Sequence, residues 1–237
     1  GNGSRTSRRG IIGAASALVG LPAVQANAQA GNPDNLPPNP PEWGRTLGPG
    51  VIEEAYGTRS RHEAAVLRRY VPWLTQDRFS SVSFTPLADM HGIITPSSLH
   101  FERHHGGVPD VDPADWRLMI HGLVERPLVF TLEDLKRLPS TSRINFIECP
   151  ANGGMEWRGA QMSGVQYTHG MLSCSEWTGV PLGALLAQTG LKPNASWLLA
   201  EGGDAAHMTR SIPIAKALDD VIVAYGQNGE ALRPQQG

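Results

Sequence analysis

Cys149 is the residue with the most chemistry to offer. It stands in Glu148-Cys149-Pro150-Ala151-Asn152-Gly153-Gly154, directly after an apolar run. A thiolate at the mouth of a strand is a soft metal ligand or a nucleophile. A small thiol packed in a core is the plainer alternative. A second cluster, His100-Phe101-Glu102-Arg103-His104-His105, sets three histidines and an arginine within six residues. Histidines at 100 and 104 would share a helix face and suggest zinc. Gly106-Gly107 and the prolines nearby speak against a helix, and no His-Glu-x-x-His arrangement is present. An exported zinc hydrolase using His100, His104 and His105 is therefore a weaker alternative. A basic solvated loop on a non-catalytic exported binding protein is another. Tyr225 ends an apolar run and reads, by itself, as an ordinary strand-end tyrosine. Cys174 reads as a packed free thiol, because a disulfide to Cys149 would consume the candidate ligand.

These residues need elements to hold them. Ile144, Phe146 and Ile147 are strand formers, and Pro150 with Asn152-Gly153-Gly154 ends the strand in a turn. Residues 60–70 suggest a short helix, with Ser60 as N-cap and Glu63 at the capping-box position. Residues 80–95 read as irregular strand and loop, and residues 116–124 as a strand. Residues 131–138 form a helix on this reading: Thr131 caps it, Asp134 completes a capping box and Pro139 stops it. A second helix follows Trp177-Thr178-Gly179 and closes near Gly190, with Leu182, Leu185 and Leu186 as core. Residues 197–200 read as a buried strand, 211–218 as a short helix opened by Ser211, and 221–225 as a strand entering a turn.

The Cys149 loop resembles the molybdenum-ligand loop of the sulfite oxidase family, where Cys-Ala-Gly-Asn-Arg-Arg is usual. Phe101-Glu102-Arg103-His104-His105 resembles that family's Phe-x-Arg-Asn-His segment. Within the family the match is nearest to the SoxC-type molybdenum subunits of sulfane and sulfite dehydrogenases. The resemblance covers about residues 95–237. It implies an α+β, mixed-sheet, loop-rich molybdopterin-binding domain over residues 80–237. It also implies molybdenum bound by Cys149 and a pterin, with no haem in this chain. Arg103 would hold an anionic sulfur substrate, sulfite or carrier-bound sulfane sulfur. Tyr225, in Ala224-Tyr225-Gly226-Gln227-Asn228-Gly229, would donate a hydrogen bond at the metal or the substrate. His105, His104, Asp204 and Ser211 would bind the pterin, although His104 stands where the family has Asn. Gly154 stands where sulfite oxidases place an arginine, which leaves room for a larger substrate.

The remaining chain sets context. Its 237 residues suffice for one sizeable core and part of a second. Gly 27 and Pro 19 indicate many turns. A net charge of -2 argues against a nucleic-acid partner. Residues 1–30 read as a twin-arginine signal: Arg8-Arg9, an apolar run too short to form a stable membrane span, and Ala28-Gln29-Ala30 for cleavage. This places the protein in the periplasm. Residues 31–79 are a Pro-rich arm and the short helix. No Cys-x-x-Cys-His occurs, so electrons would pass to a separate c-type cytochrome subunit. A sulfur-carrier protein is a further expected partner, and a homodimer or heterotetramer the expected assembly. Similar proteins continue beyond this point with more cofactor domain and an immunoglobulin-like dimerisation domain. The domain is therefore expected to be truncated at its C-terminus.

Overall fold

The strand that carries Cys149 is β6 (Thr141–Glu148), and the largest sheet is built outward from it. The computed structural model describes residues 59–70, 81–159 and 164–236. The targeting segment and the Pro-rich stretch expected before residue 59 lie outside the described residues. β6 pairs antiparallel along its whole length with β7 (Leu172–Pro181), from Thr141 opposite Gly179 to Glu148 opposite Leu172. On its other side β7 pairs with β10 (Ile222–Gln227). β11 (Glu230–Ala231) closes a hairpin on β10 through a turn at Asn228 and Gly229. The order is β11-β10-β7-β6, so β6 is an edge strand.

A smaller sheet supplies the second cluster of interest. β1 (Arg69–Tyr70), β2 (Val82–Phe84) and β3 (Glu102–Arg103) pair antiparallel in that order. The helix expected over residues 60–70 is not formed. Ser60 does cap, accepting a hydrogen bond from the His62 amide, but only one 3-10 turn follows, at Arg61–Glu63. Pairing of Arg69 and Tyr70 with β2, and an ion pair from Arg68 to buried Glu102, outweigh the local helix signal.

Two hairpins and four α-helices complete the described part. β4 (Arg117–Ile120) pairs with β5 (Leu128–Thr131), and α1 (Leu132–Lys136) follows. The capping box of Thr131 and Asp134 forms as the sequence suggests. α2 (Val165–His169) precedes β7, and α3 (Leu182–Thr189) follows it and ends at Gly190. β8 (Trp197–Glu201) and β9 (Thr209–Pro213) form a hairpin that leads into α4 (Ile214–Asp219). Ser211 is therefore mid-strand, opposite Leu199, and not a helix cap. Pro213 explains the delay, since the residue before a proline is driven to extended backbone. Nor is β8 buried. Leu198 and Ile212 turn to the core, while the alternate face leaves Trp197 64% and Leu199 63% exposed.

Among the described residues there are two apolar clusters. One is centred on Phe130, Leu135, Val180, Leu185 and Leu186. The other is Val82, Phe84, Phe101 and Met171, with Cys149 and Tyr167 packed against it. His100 sits in the interior beside this second group, 1% exposed. Its ring stacks on Phe101 and meets Trp177 edge-on. Nδ1 is 2.9 Å from the Phe101 carbonyl, while Nε2 is buried without a partner.

Burial is the main cause that pushes the His100 pKa below the ordinary imidazole value. The unfolded chain then binds the proton more readily than the folded one. The neutral ring thus contributes stability above about pH 6.5, the unfolded value, and that contribution shrinks as pH falls through the lowered folded value. Urea unfolding between pH 7.5 and 5.5 is expected to show a smaller acid-induced loss for His100→Gln than for the wild type. Equal losses would contradict this.

Candidate functional site

The loop after β6 is held by its own backbone. The Cys149 amide donates to the Met171 carbonyl at 3.0 Å, which extends the β6–β7 ladder by one residue. The Asn152 amide donates to the Cys149 carbonyl at 2.9 Å, and the Gly153 amide to Thr168 at 2.7 Å. The Asn152 side chain adds two bonds, donating to Glu148 at 3.0 Å and accepting from the Met171 amide at 3.1 Å. Gly153 takes a left-handed φ of 76°, which suits glycine at the turn. The Cys149 thiol is left half-buried and unbonded to another cysteine, and Cys174 is likewise free.

Arg103 approaches the same cluster from β3. It stands opposite Val82, which packs in the cluster that Cys149 joins. Its guanidinium donates to the His104 carbonyl. The chain then passes to His105, which faces charges from a distant loop. Asp204, Arg210, Arg103 and His104 all act on its imidazole. Partial desolvation, then the Arg103 guanidinium, lowers its pKa, and Asp204 opposes them. The approach is close: a Cβ on Gly106 would lie 2.6 Å from the Ala206 amide nitrogen, so a side chain there would collide with backbone. The structure thus gathers Arg103, His105 and Asp204, and adds Arg210. Arg210 was not legible in the sequence, since only the β8–β9 register turns it away from solvent-facing Leu199. Ser211, its neighbour, falls on the opposite face with Leu199 and is not part of this group.

His104 is also turned away from the loop's outer side. It is 8% exposed, and Nε2 donates to Glu102 Oε2 at 3.3 Å. Glu102, 4% exposed, also pairs with Arg68. Arg68 in turn donates to the His100 carbonyl at 3.2 Å and the Tyr70 hydroxyl at 2.7 Å. His104 therefore belongs to a buried charged network beneath Arg103, which corrects its expected place at a pterin. The zinc alternative is corrected on the same ground. His100 points into the core, His104 to Glu102 and His105 to the Asp204 side. Among the described residues no group of three or more His, Cys, Asp or Glu side chains could hold a metal ion.

Tyr225 is the largest correction. It lies in a β-bulge of β10, between Ala224 opposite Gly179 and Gly226 opposite Thr178. Cys149 is level with Met171, at the far end of β7. About seven residues of strand separate these levels, roughly 23 Å at about 3.3 Å per residue. Tyr225 packs instead on the Leu135 cluster and lines a cavity of about 180 Å³ with Trp116, Leu132 and Arg233. A single metal at Cys149 is out of its reach. The local pattern located a strand end but did not say which end of the sheet it occupies.

A phenol on the cluster that Cys149 joins is that of Tyr167. It packs against the same cluster, with its ring edge-on to Phe84 at 5.7 Å and the Arg69 guanidinium 5.8 Å above it. Residues 153–167 show no periodicity, so no sequence signal pointed to it.

Comparison with known proteins identifies the family. The family model described as the oxidoreductase molybdopterin binding domain matches residues 105–237. The chain is similar to the NADH nitrate reductase of Ulva prolifera, 34% identical over 64% of this chain and 20% of that protein. It is similar to the NAD(P)H nitrate reductase of Hordeum vulgare, 33% identical over 84% of this chain and 24% of that protein. Among solved structures it is similar to the sulfane dehydrogenase SoxCD from Paracoccus pantotrophus. That match is 50% identical with a TM-score of 0.77, and covers 87% of this chain and 53% of the other. The chain thus spans about a quarter or less of these curated relatives and about half of that solved chain.

Proposed function

Because this chain belongs to the oxidoreductase molybdopterin-binding domain family, of the sulfite oxidase type, we propose that it forms the molybdenum-binding part of an enzyme that oxidises a sulfur substrate. The substrate class is sulfite or sulfane sulfur carried on a protein thiol. The observation that carries this reading is the Cys149 thiol, free and half-buried on a pinned loop, packed on the cluster that Arg103 borders.

The residues present fit the group. Cys149 offers the soft thiolate that suits such a metal. His105, with Arg210 and Asp204 in electrostatic range of it, supplies donors and charge suited to a pterin and its phosphate. Bound there, a molybdenum pterin supplies the two-electron redox chemistry. The protein's part is binding and positioning. Arg103 presents paired donors to an anionic sulfur group. Its backbone direction is fixed by pairing with β2 and by the Glu102 network below it. Met171, Phe84 and Phe101 keep water from the inner side of the Cys149 loop.

The reading extends to the partner and the compartment. Electrons leave to a separate c-type cytochrome subunit, since the chain has no haem attachment sequence. The arginine pair at residues 8 and 9 fits export of a folded, cofactor-loaded protein to the periplasm. Elemental analysis of the full-length protein, with pterin fluorescence after denaturation, tests the proposal. Molybdenum near one equivalent supports it. Zinc, or no metal with no pterin, rejects it.

Gly154 bears on the choice of substrate. A Cβ there would meet nothing within 4 Å, and its φ is not left-handed. An arginine can therefore enter without strain and would add a guanidinium above the loop. Gly154→Arg is expected to shift relative kcat/KM toward free sulfite over a protein-bound sulfane by about tenfold, the scale of one extra charged hydrogen bond. Steady-state assays on both substrates check this, and an unchanged ratio would count against it.

A further inference from the structure

His169 ends α2 behind the Cys149 loop, and its ring is aimed at that loop. Nδ1 is 2.8 Å from the Thr168 hydroxyl and 3.8 Å from Glu156 Oε1. The hydroxyl's other contact, to the Val165 carbonyl, is longer at 3.4 Å. We assign the hydroxyl proton to Nδ1 on that difference, which leaves Nε2 as the ring's donor. Nε2 lies 3.5 Å from the point that a Cβ on Gly153 would occupy. Gly153 has no side chain to meet it, and the space beside Gly154 is open for 4 Å. The side chain is 45% exposed.

The anchoring matters as much as the direction. An imidazole fixed through one nitrogen presents the other in a defined orientation. Here the anchor comes from the adjacent residue, and the helix end that bears it is tied to the loop by the Gly153 amide bond to the Thr168 carbonyl. The loop and the ring therefore move as one unit. The two glycines leave the floor below the ring bare, where any larger residue would fill it.

We propose that His169 is a substrate-binding residue whose Nε2–H donates to an oxygen of an anionic sulfur group held over the Cys149 loop. Resting on the molybdenum reading for its reaction, the inference concerns binding alone and involves no bond making. The ligand chemistry is that of a sulfur oxyanion.

The test uses the full-length, metal-loaded protein and two probes. Sulfate binding is read by calorimetry, and the KM and kcat for sulfite by steady-state assay. His169→Leu is expected to weaken sulfate binding about tenfold and raise KM by a similar factor, with kcat within about twofold. His169→Gln, which restores a donor, is expected to recover most of both. Thermal melting and molybdenum content monitor folding and loading. Unchanged sulfate affinity in a folded, loaded His169→Leu protein overturns the inference and leaves the molybdenum reading intact. So does a loss of kcat and molybdenum together that glutamine does not rescue, which marks a structural role. A wild-type protein without molybdenum removes the parent reading instead, and sulfate affinity still reports on His169.

Discussion

Cys149→Ser in the full-length protein is expected to lower turnover on a sulfur substrate by roughly a thousandfold or more, about 4 kcal/mol of barrier. The reasoning starts from the side chain's size. Serine replaces sulfur by oxygen at nearly the same position, and the loop is held by backbone and Asn152 bonds that do not involve the thiol. The fold should therefore persist, with stability changed by about 1 kcal/mol or less. The chemistry should not persist. A thiolate is a soft, charged donor, whereas an alcohol at neutral pH is hard and protonated, so the residue ceases to be a comparable ligand. The measurement is kcat alongside melting temperature and molybdenum per chain. Turnover within tenfold of wild type, at equal folding, would show that Cys149 is only a packed thiol beside Met171.

What the sequence disclosed, and what it withheld, follows from the range of the interactions. The Thr131–Asp134 capping box and the Gly190 helix end were legible because their partners lie within four residues. The strand into Cys149 was legible for the same reason, through Ile144, Phe146 and the Pro150 stop. Residues 60–70 misled because the local helix signal was real but was outweighed by Glu102, a partner more than thirty residues away. Within the candidate site, Arg103 and Cys149 were identified through motifs; Cys149 packs on the cluster that holds Val82, the β2 partner of Arg103. Tyr225 was also identified through a motif, yet its distance from Cys149 depends on the β6–β7–β10 register, which no single segment encodes. Tyr167, Arg210 and His169 escaped notice because each acquires its place only when loops from distant parts of the chain meet.

Glu102→Ala is expected to destabilise the domain by about 3–5 kcal/mol, the usual cost of stripping one partner from a buried ion pair. Glu102 is 4% exposed and serves two neighbours, the Arg68 guanidinium and the His104 imidazole. Removing it leaves the Arg68 guanidinium, with its side chain 18% exposed, without its counter-charge in the interior. The His104 ring loses its acceptor as well. The net worth of the pair is a separate matter. A double substitution, Arg68→Met with Glu102→Leu, should recover most of the loss, since well-packed apolar groups often replace buried pairs at little cost. Urea unfolding of the two variants separates the cases, and a single-variant loss under about 1 kcal/mol would mean that the network is solvated. The consequence for function comes from strand geometry. Glu102 and Arg103 are adjacent in β3, so they point to opposite sides of its sheet. Fixing the first on one face fixes the second on the other, the face of Val82, and ties the start of β1 to β3. The double variant keeps the fold but loosens that tie. It should therefore raise KM for an anionic substrate while stability stays near wild type, separating the aiming of Arg103 from the integrity of the sheet.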